Sequence, residues 1–404
     1  LKQCTKKYPM LYYYAAYYEE KMGEDDAAKK SLEKAESCAF DYCFPNKLDD
    51  IAVLTFAIEN GCKKKAPYYL GNLFYDKLQW KKSVELWEMS EKADDTFSIV
   101  HRNLALAYYN KMGDSKAAKR ELEKAFSLNR KDARIFLELD QLYKKLGYSF
   151  KERLAKYDED PSLAESRDDL YIEYITLMNM CGEYERAYRC IMGRRFHPWE
   201  GGEGKITTQY TISLLEMAKQ CLASEKYEQA EKLLKKALVY PENLGEGKLE
   251  GTKDNHLFYH LGLALEAQGK HDEAKTCFET ATIGTDEPAG AMYYNDQPAD
   301  MILYQGLAFE KLGKTREAKS RFYRLIDYGE QHLNDEGKIE YFAVSLPDFL
   351  IFDEDYTKKN RAHCCYLMAL GNIGLQNREK AAEFLNEALE IEPSHMMATL
   401  YQKQ

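Results

Sequence analysis

Apolar positions along this chain recur with a helical period and come in pairs of short runs. Between Phe258 and Ala281, the residues Phe258, Leu261, Gly262 and Leu265 share one helical face, Gly269 interrupts the run, and Ala274, Phe278 and Ala281 mark a second face. Gly262, Ala274 and Ala281 stand 12 and 7 residues apart, and Gly306, Ala318 and Leu325 repeat that spacing. Small residues at such places let two antiparallel helices touch closely, which a stacked helical hairpin requires. Ala381, Leu385 and Ala388 make a further copy, closed by Pro393, whose ring cannot continue a helix. Upstream, Leu70, Gly71, Phe74, Ser83 and Trp87 form one copy, and Ala105, Tyr108, Ala118, Leu122 and Ala125 another with one extra residue in its turn. The N-terminal copy, with Ala28, Leu32 and Ala35, repeats that variant, because Lys21-Met22-Gly23 matches Lys111-Met112-Gly113. Ala187 and Ala230 mark two more, Leu139, Leu142 and Leu146 keep the period in a degenerate copy over 135–157, and 48–60 predicts a helix outside the repeat.

The order of a large residue, Leu-Gly, an aromatic or Leu, then Ala, an aromatic and Ala resembles the tetratricopeptide repeat. The expected fold is all-α: a right-handed superhelical solenoid of about nine tetratricopeptide-type helical hairpins with long loops on one edge. The stretch Asp158-Glu159-Asp160-Pro161-Ser162 divides it into an N-terminal lobe, residues 1–160, and a C-terminal lobe, 161–404, with long inter-repeat loops.

A regular array advances by about 34 residues. Here Ala187, Ala230, Ala274, Ala318 and Ala381 are separated by 43, 44, 44 and 63 residues. The surplus follows helix B each time, which places four long loops on one rim of the solenoid, and binding residues concentrate on such loops. The rim candidates are His197, Trp199, Glu200, Glu203 and Lys205 in the first loop and Glu242, Asn243 and Glu246 in the second. Tyr293, Tyr294, Asn295 and Asp296 belong to the third, and Asp348 to the fourth. Aromatics, carboxylates and amides together suit a polar ligand such as a sugar; the plainer reading is that Trp199 caps a hairpin core and the glycines permit turns. Helix A positions predict a groove in the N-terminal half lined by Tyr12, Tyr68, Asn72, Tyr75, Arg102, Tyr109 and Asn110. Tyrosines suit peptides or sugars equally, or pack between hairpins. The set departs from the Lys/Asn/Arg clamp with which some tetratricopeptide proteins hold a peptide's terminal carboxylate.

Composition narrows the classes of partner. A hydrophobic share of 45% in 404 residues supports a folded core, and a net charge of −10 argues against nucleic acid. No apolar run approaches the roughly 18–20 residues of a membrane span. The ten cysteines form no C-x-x-C pair, which predicts a reduced, cytoplasmic setting. His256 and His260 have the spacing of two metal ligands, but neither the intervening glutamate of a zinc hydrolase nor a third ligand accompanies them. Glu200 with Glu203, or Glu242 with Glu246, is the one pattern with the carboxylates of a glycoside hydrolase. No phosphate loop, nucleophile elbow or Cys–His pair is present, so no catalytic residue, metal or cofactor is assigned.

The stretches 194–205, 240–251, 292–298 and 341–349 resemble a bacterial family of uncharacterised proteins. In that family a tetratricopeptide tail follows a β-rich front half similar to galactose-mutarotase-like sugar-binding domains. The resemblance, and a start at Leu1 rather than Met, imply the C-terminal portion of a longer, carbohydrate-associated protein. The expected function is a non-catalytic scaffold whose rim and groove bind a protein partner, the adjoining β-rich domain or an oligosaccharide. The alternatives are an accessory part of a carbohydrate-active enzyme whose rim glutamates complete the active site, and a peptide-binding scaffold.

Overall fold

The computed structural model describes residues 8–199, 201–288, 297–337 and 351–403, and among them every regular element is helical. Two compact units form, one of Leu1–Leu142 with Ile351–Asp353 and one of Tyr143–Leu350 with Glu354–Gln404. The first contains α1 (Pro9–Lys21), α2 (Asp25–Ser37), α3 (Leu48–Glu59), α4 (Lys65–Asp76), α5 (Trp80–Ala93), α6 (Ser98–Ala107) and α7 (Ser115–Leu128). The boundary between the units falls inside α8 (Ala133–Lys145). The second contains α9 (Phe150–Glu159), α10 (Pro161–Glu165), α11 (Asp168–Met180), α12 (Tyr184–Met192), α13 (Lys205–Ala223), α14 (Tyr227–Ala237) and α15 (Asn255–Ala267). It continues with α16 (His271–Ala281), α17 (Met301–Lys311), α18 (Thr315–His332), α19 (Tyr356–Gly374), α20 (Arg378–Ile391) and α21 (Met396–Gln402).

Consecutive helices pack as pairs: α1 with α2, α4 with α5, α6 with α7, α11 with α12, and so on to α19 with α20. The small residues act as the spacing demands. A Cβ at Gly262 would lie 2.5 Å from the Phe278 ring, and one at Gly306 2.2 Å from the Phe322 ring, so only glycine lets each aromatic of helix B reach helix A. Ala118, Leu122 and Ala125 are fully buried on α7, as are Ala274's neighbours Phe278 and Ala281 on α16. The helix expected over 48–60 is α3, its start held by Asp50, which accepts the N–H groups of Asn46 and Lys47 at 2.9 Å each. Over 135–157 two helices form, but α9 packs on α10 and α11. The Asp158–Ser162 stretch joins α9 to α10 inside the second unit.

The extra residue after α6 is absorbed by a π-helical turn at Tyr108–Met112. The bond that closes this turn, from Asp114 N–H to Tyr108 O at 2.9 Å, spans six residues, where Gln79 to Phe74 and Lys314 to Phe309 span five. The N-terminal copy carries the same Lys-Met-Gly triplet, yet its closing bond, Glu24 to Glu19, spans five and α1 stays α-helical. The triplet therefore does not carry the π-turn.

In the second unit α21 is tied to several earlier hairpins. The Tyr401 hydroxyl donates to Tyr304 on α17 at 2.8 Å, Gln209 on α13 donates to the Met396 sulfur at 3.7 Å, and Lys403 donates to the Met180 carbonyl at the end of α11.

Candidate functional site

The inner helices of the second unit, α13, α15 and α17, together with α21 and the two loops that follow α12 and α14, surround a cavity of about 310 Å³. Thr207, Thr211, Leu215 and Lys219 recur every four residues, so α13 presents them as one stripe along its wall. His256 comes from α15, Asp300, Met301 and Tyr304 from the start of α17, and Met397, Leu400 and Tyr401 from α21. Tyr240, Glu246, Lys253 and Asp254 close the loop side.

Its polar groups are strongly perturbed. Burial opposes the charge on Lys219, but Tyr304 and Glu216, whose carboxylate lies 2.7 Å away, hold the ammonium above its ordinary value. Burial pushes the Asp300 carboxyl up to about 6, against its own backbone N–H and Lys219. Burial, reinforced by His260, Lys219 and Lys248, lowers His256 to about 3, and burial with Lys219 lowers His260 to about 3, so both rings are neutral. The Nδ1 of His260 is satisfied by the His256 carbonyl at 2.7 Å. Two cavity atoms are not satisfied: His256 Nδ1 and Glu246 Oε1 are buried without a hydrogen-bond partner. Burial also raises the Glu246 carboxyl, although its other oxygen accepts Gly204 N–H at 2.8 Å.

Of the rim candidates, Glu246 lines this cavity. The first and second loops are welded together: Asn243 donates to the Ile191 and Arg194 carbonyls at 2.8 and 3.0 Å, and its own carbonyl accepts Phe196 N–H at 2.8 Å. Trp199 lays its ring on Gly202, where a Cβ would stand 2.3 Å away, and the Lys205 ammonium sits 5.7 Å from its centroid. Glu203 accepts Gly201 N–H at 2.8 Å, Glu242 is exposed at the start of a short 3-10 turn, and His197 is exposed with its backbone N–H on Asp168 at 2.9 Å. The described part of the third loop divides: Asp286 pairs with Arg321 and Glu287 with Arg324 on α18, at 2.9 and 3.1 Å, while Pro298 lines the cavity. Glu200, Tyr293, Tyr294, Asn295, Asp296 and Asp348 lie outside the described residues.

The groove candidates belong to the first unit, and most are engaged by their own fold. Tyr68 is buried among Phe40, Tyr69 and Phe97, and Tyr12 packs partly buried on the same core. Asn72 accepts from Trp87 Nε1 and from Asn103, both at 3.1 Å, and Tyr75 packs on Trp87 with its ring tilted and centroids 5.3 Å apart. Arg102 grips the fully buried Glu138 with two bonds of 2.7 and 2.6 Å. Tyr109 and Asn110 face Ile351–Asp353: Asn110 bonds two backbone groups of that segment and Tyr109 packs on Phe352, centroids 5.0 Å apart.

Glu91, Asp95 and His101 form a cluster of metal-ligand type in the first unit. Both His101 nitrogens are already used, Nδ1 on Glu121 at 2.7 Å and Nε2 on the Asp95 carbonyl at 3.0 Å. The cluster is a hydrogen-bond network around a buried histidine, with Asp95 exposed, rather than an open ligand set. The sequence pattern placed the groove only in the N-terminal half and so missed Lys219, Asp300 and Tyr304; the four-residue stripe on α13 is a signal for Lys219, while nothing in the spacing marks Asp300 or Tyr304.

Family models described as tetratricopeptide repeat match residues 103–132, 256–282 and 362–395, and a second such model matches 300–328. The chain carries tetratricopeptide repeats. The matches fall on α6 and α7, α15 and α16, α17 and α18, and α19 and α20, so both units contain matched tetratricopeptide hairpins. Among solved structures, the chain is similar to YrrB, described as a TPR protein with an unusual peptide-binding site, at 18% identity over 64% of this chain and 100% of that one, TM-score 0.22. A tetratricopeptide repeat protein from Parabacteroides merdae matches at 14% identity over 69% of this chain and 93% of that one, TM-score 0.28. Naa15/Naa10 bound to HypK-THB matches at 12% identity over 98% of this chain and 60% of that one, TM-score 0.36. No described helix is long and apolar enough to cross a membrane.

Proposed function

We propose that this tetratricopeptide chain is a non-catalytic interaction scaffold whose second unit takes a segment of a protein partner into the cavity beside Glu246 and His256. The observation that supports the reading is the pair of buried, unpartnered atoms, Glu246 Oε1 and His256 Nδ1, on a preformed cavity whose other walls carry Leu215, Met301, Met397 and Leu400. Buried polar atoms are ordinarily paired, and pockets that bind combine an apolar body with a few convergent polar groups. A polypeptide segment supplies both apolar side chains and N–H donors. An adjoining β-rich domain of the same polypeptide is one such partner, and a cytoplasmic setting belongs to the same proposal.

The oligosaccharide and enzyme readings have less support. Trp199, the rim aromatic best suited to stack on a sugar, covers Gly202 with its ring. Glu203 commits a carboxylate oxygen to a backbone N–H of its own loop and Glu246 one to Gly204 of the neighbouring loop, and a general acid–base pair needs those oxygens for substrate.

A photo-crosslinking residue at Thr208, an exposed position on the cavity wall, tests this against the same residue at exposed Thr276 on α16. Polypeptide adducts are expected at position 208 alone and should fall when His256→Ala is added. Equal labelling at the two positions, or no polypeptide adduct at 208, overturns the reading.

A further inference from the structure

The first unit includes three residues remote from it in sequence, Ile351, Phe352 and Asp353. They have no regular secondary structure, yet Phe352 is only 2% exposed. Asn110 holds them by backbone: its Nδ2 donates to the Ile351 carbonyl at 2.8 Å, and its Oδ1 accepts the Asp353 N–H at 2.9 Å. Phe352 meets Tyr109 edge to face, with centroids 5.0 Å apart, and Lys111 Nζ stands 3.7 Å from the Asp353 carboxylate. Burial, then the Asp353 carboxylate, raise the Tyr75 phenol, which places Tyr75 on the same side.

We propose that this groove is a recognition site for an aliphatic–Phe–Asp segment, which Ile351–Asp353 fills in cis and which a matching segment of a partner protein displaces. Three features separate it from ordinary packing. A carboxamide that bonds the C=O of one residue and the N–H of the next but one reads the backbone whatever its side chains, as peptide-binding sites do. The aromatic contact and the lysine then select a Phe followed by an acidic residue. The residues that make these contacts, Tyr109, Asn110 and Lys111, all lie in the π-turn, and such turns persist where an irregular backbone aims a side chain at a ligand. The first unit's site uses none of the cavity residues of the second, so it stands or falls independently of the function proposed above.

A fluorescent peptide with the sequence of residues 351–356 tests the site by anisotropy on the full chain. A tethered segment competes at high effective concentration. Wild type should therefore bind the peptide at least about tenfold more weakly than a Phe352→Ala/Asp353→Ala variant, in which the cis segment is crippled. Adding Asn110→Ala to that variant should remove the gain, and a peptide with Ala in place of its Phe should not bind. Circular dichroism checks that each variant keeps wild-type helicity. Equal binding by wild type and the crippled variant, a gain that survives Asn110→Ala, or equal binding of the Ala peptide overturns the proposal. Amide exchange gives a readout on unmutated protein: excess peptide should speed exchange at Asp353, whose N–H the groove protects, and unchanged exchange at saturating peptide also overturns it.

Discussion

The two units are built with one ruler and furnished with opposite chemistry. In the first, Asn72 pairs with Trp87 and Asn103, Arg102 with Glu138, and Asn110 with the backbone of Ile351 and Asp353, while the buried Tyr69 hydroxyl is left without a partner. In the second, the inner helices surround a cavity that keeps His256 Nδ1 and Glu246 Oε1 unpartnered. Their histidines differ in the same sense. Burial opposes protonation of His101 in the first unit, but bonds to Glu121 and the Asp95 carbonyl raise it overall. Burial instead lowers His256 and His260 to about 3, and His363 and His395 to about 4, in the second. Repeat spacing sets how helices stack; the inner-face residues then decide whether a repeat closes on itself or stays ready for a ligand.

Acid should separate the units most. The four lowered histidines are neutral when folded and titrate near 6.5 when unfolded, so their contribution is full above pH ~6.5 and is lost as pH falls toward 4. Each costs up to about 1.4 kcal/mol per pH unit, which sums to several kcal/mol by pH 5, offset in part by the raised carboxyls of Glu246, Asp254 and Asp300. His101, being raised, contributes fully below its unfolded pKa and loses its contribution only as pH rises through the folded value. Amide exchange at pH 7 and 5 should show α13, α15 and α19 losing protection while α6 and α7 keep theirs. Equal loss in both units breaks the comparison.

The shared ruler is tested next. Gly306→Ala in the second unit and Gly71→Ala in the first each drive a Cβ into a ring, Phe322 at 2.2 Å or Trp87 at 2.5 Å. Both should lose about 2–3 kcal/mol in urea titrations. A cost in only one unit would show that the close approach serves different purposes in the two. Smaller still, Asn110→Ala leaves Ile351 O and Asp353 N–H without their partner and should destabilise the first unit by about 1–2 kcal/mol, leaving the second unchanged. Last comes Asp300→Asn. With a folded value of about 6 against an ordinary carboxyl near 3.9, Asp300 stabilises the fold fully at low pH and progressively less as pH rises from 4 to 6. The variant should flatten that part of the stability profile and gain about 1–2 kcal/mol above pH 6.

The hairpin array was legible because its signals are local. Gly262 and Phe278, or Gly306 and Phe322, are 16 residues apart, and the contact between them follows from helical geometry. The weld between the first two loops was half legible: length and composition marked them out, while their attachment through Asn243 required the fold. The groove residues fall on α1, α4, α6 and the π-turn after α6, and spacing cannot say what each is spent on. Tyr68 is taken by Phe40 and Phe97, and Arg102 by Glu138, 36 positions away. The Lys-Met-Gly triplet misled, because the π-turn occurs at one of its two copies, and the residues before it differ, Glu19-Glu20 in one copy and Asn110 in the other.

Helix period, small-residue spacing and surplus loop length follow from near neighbours, so the sequence by itself determines an all-helical tetratricopeptide array. The burial that lowers His256, the orphaned oxygen of Glu246 and the meeting of Asn110 with Ile351 across 241 positions arise from packing between distant segments. No period in the chain encodes such pairings, because desolvation and hydrogen-bond partnership belong to the assembled interior.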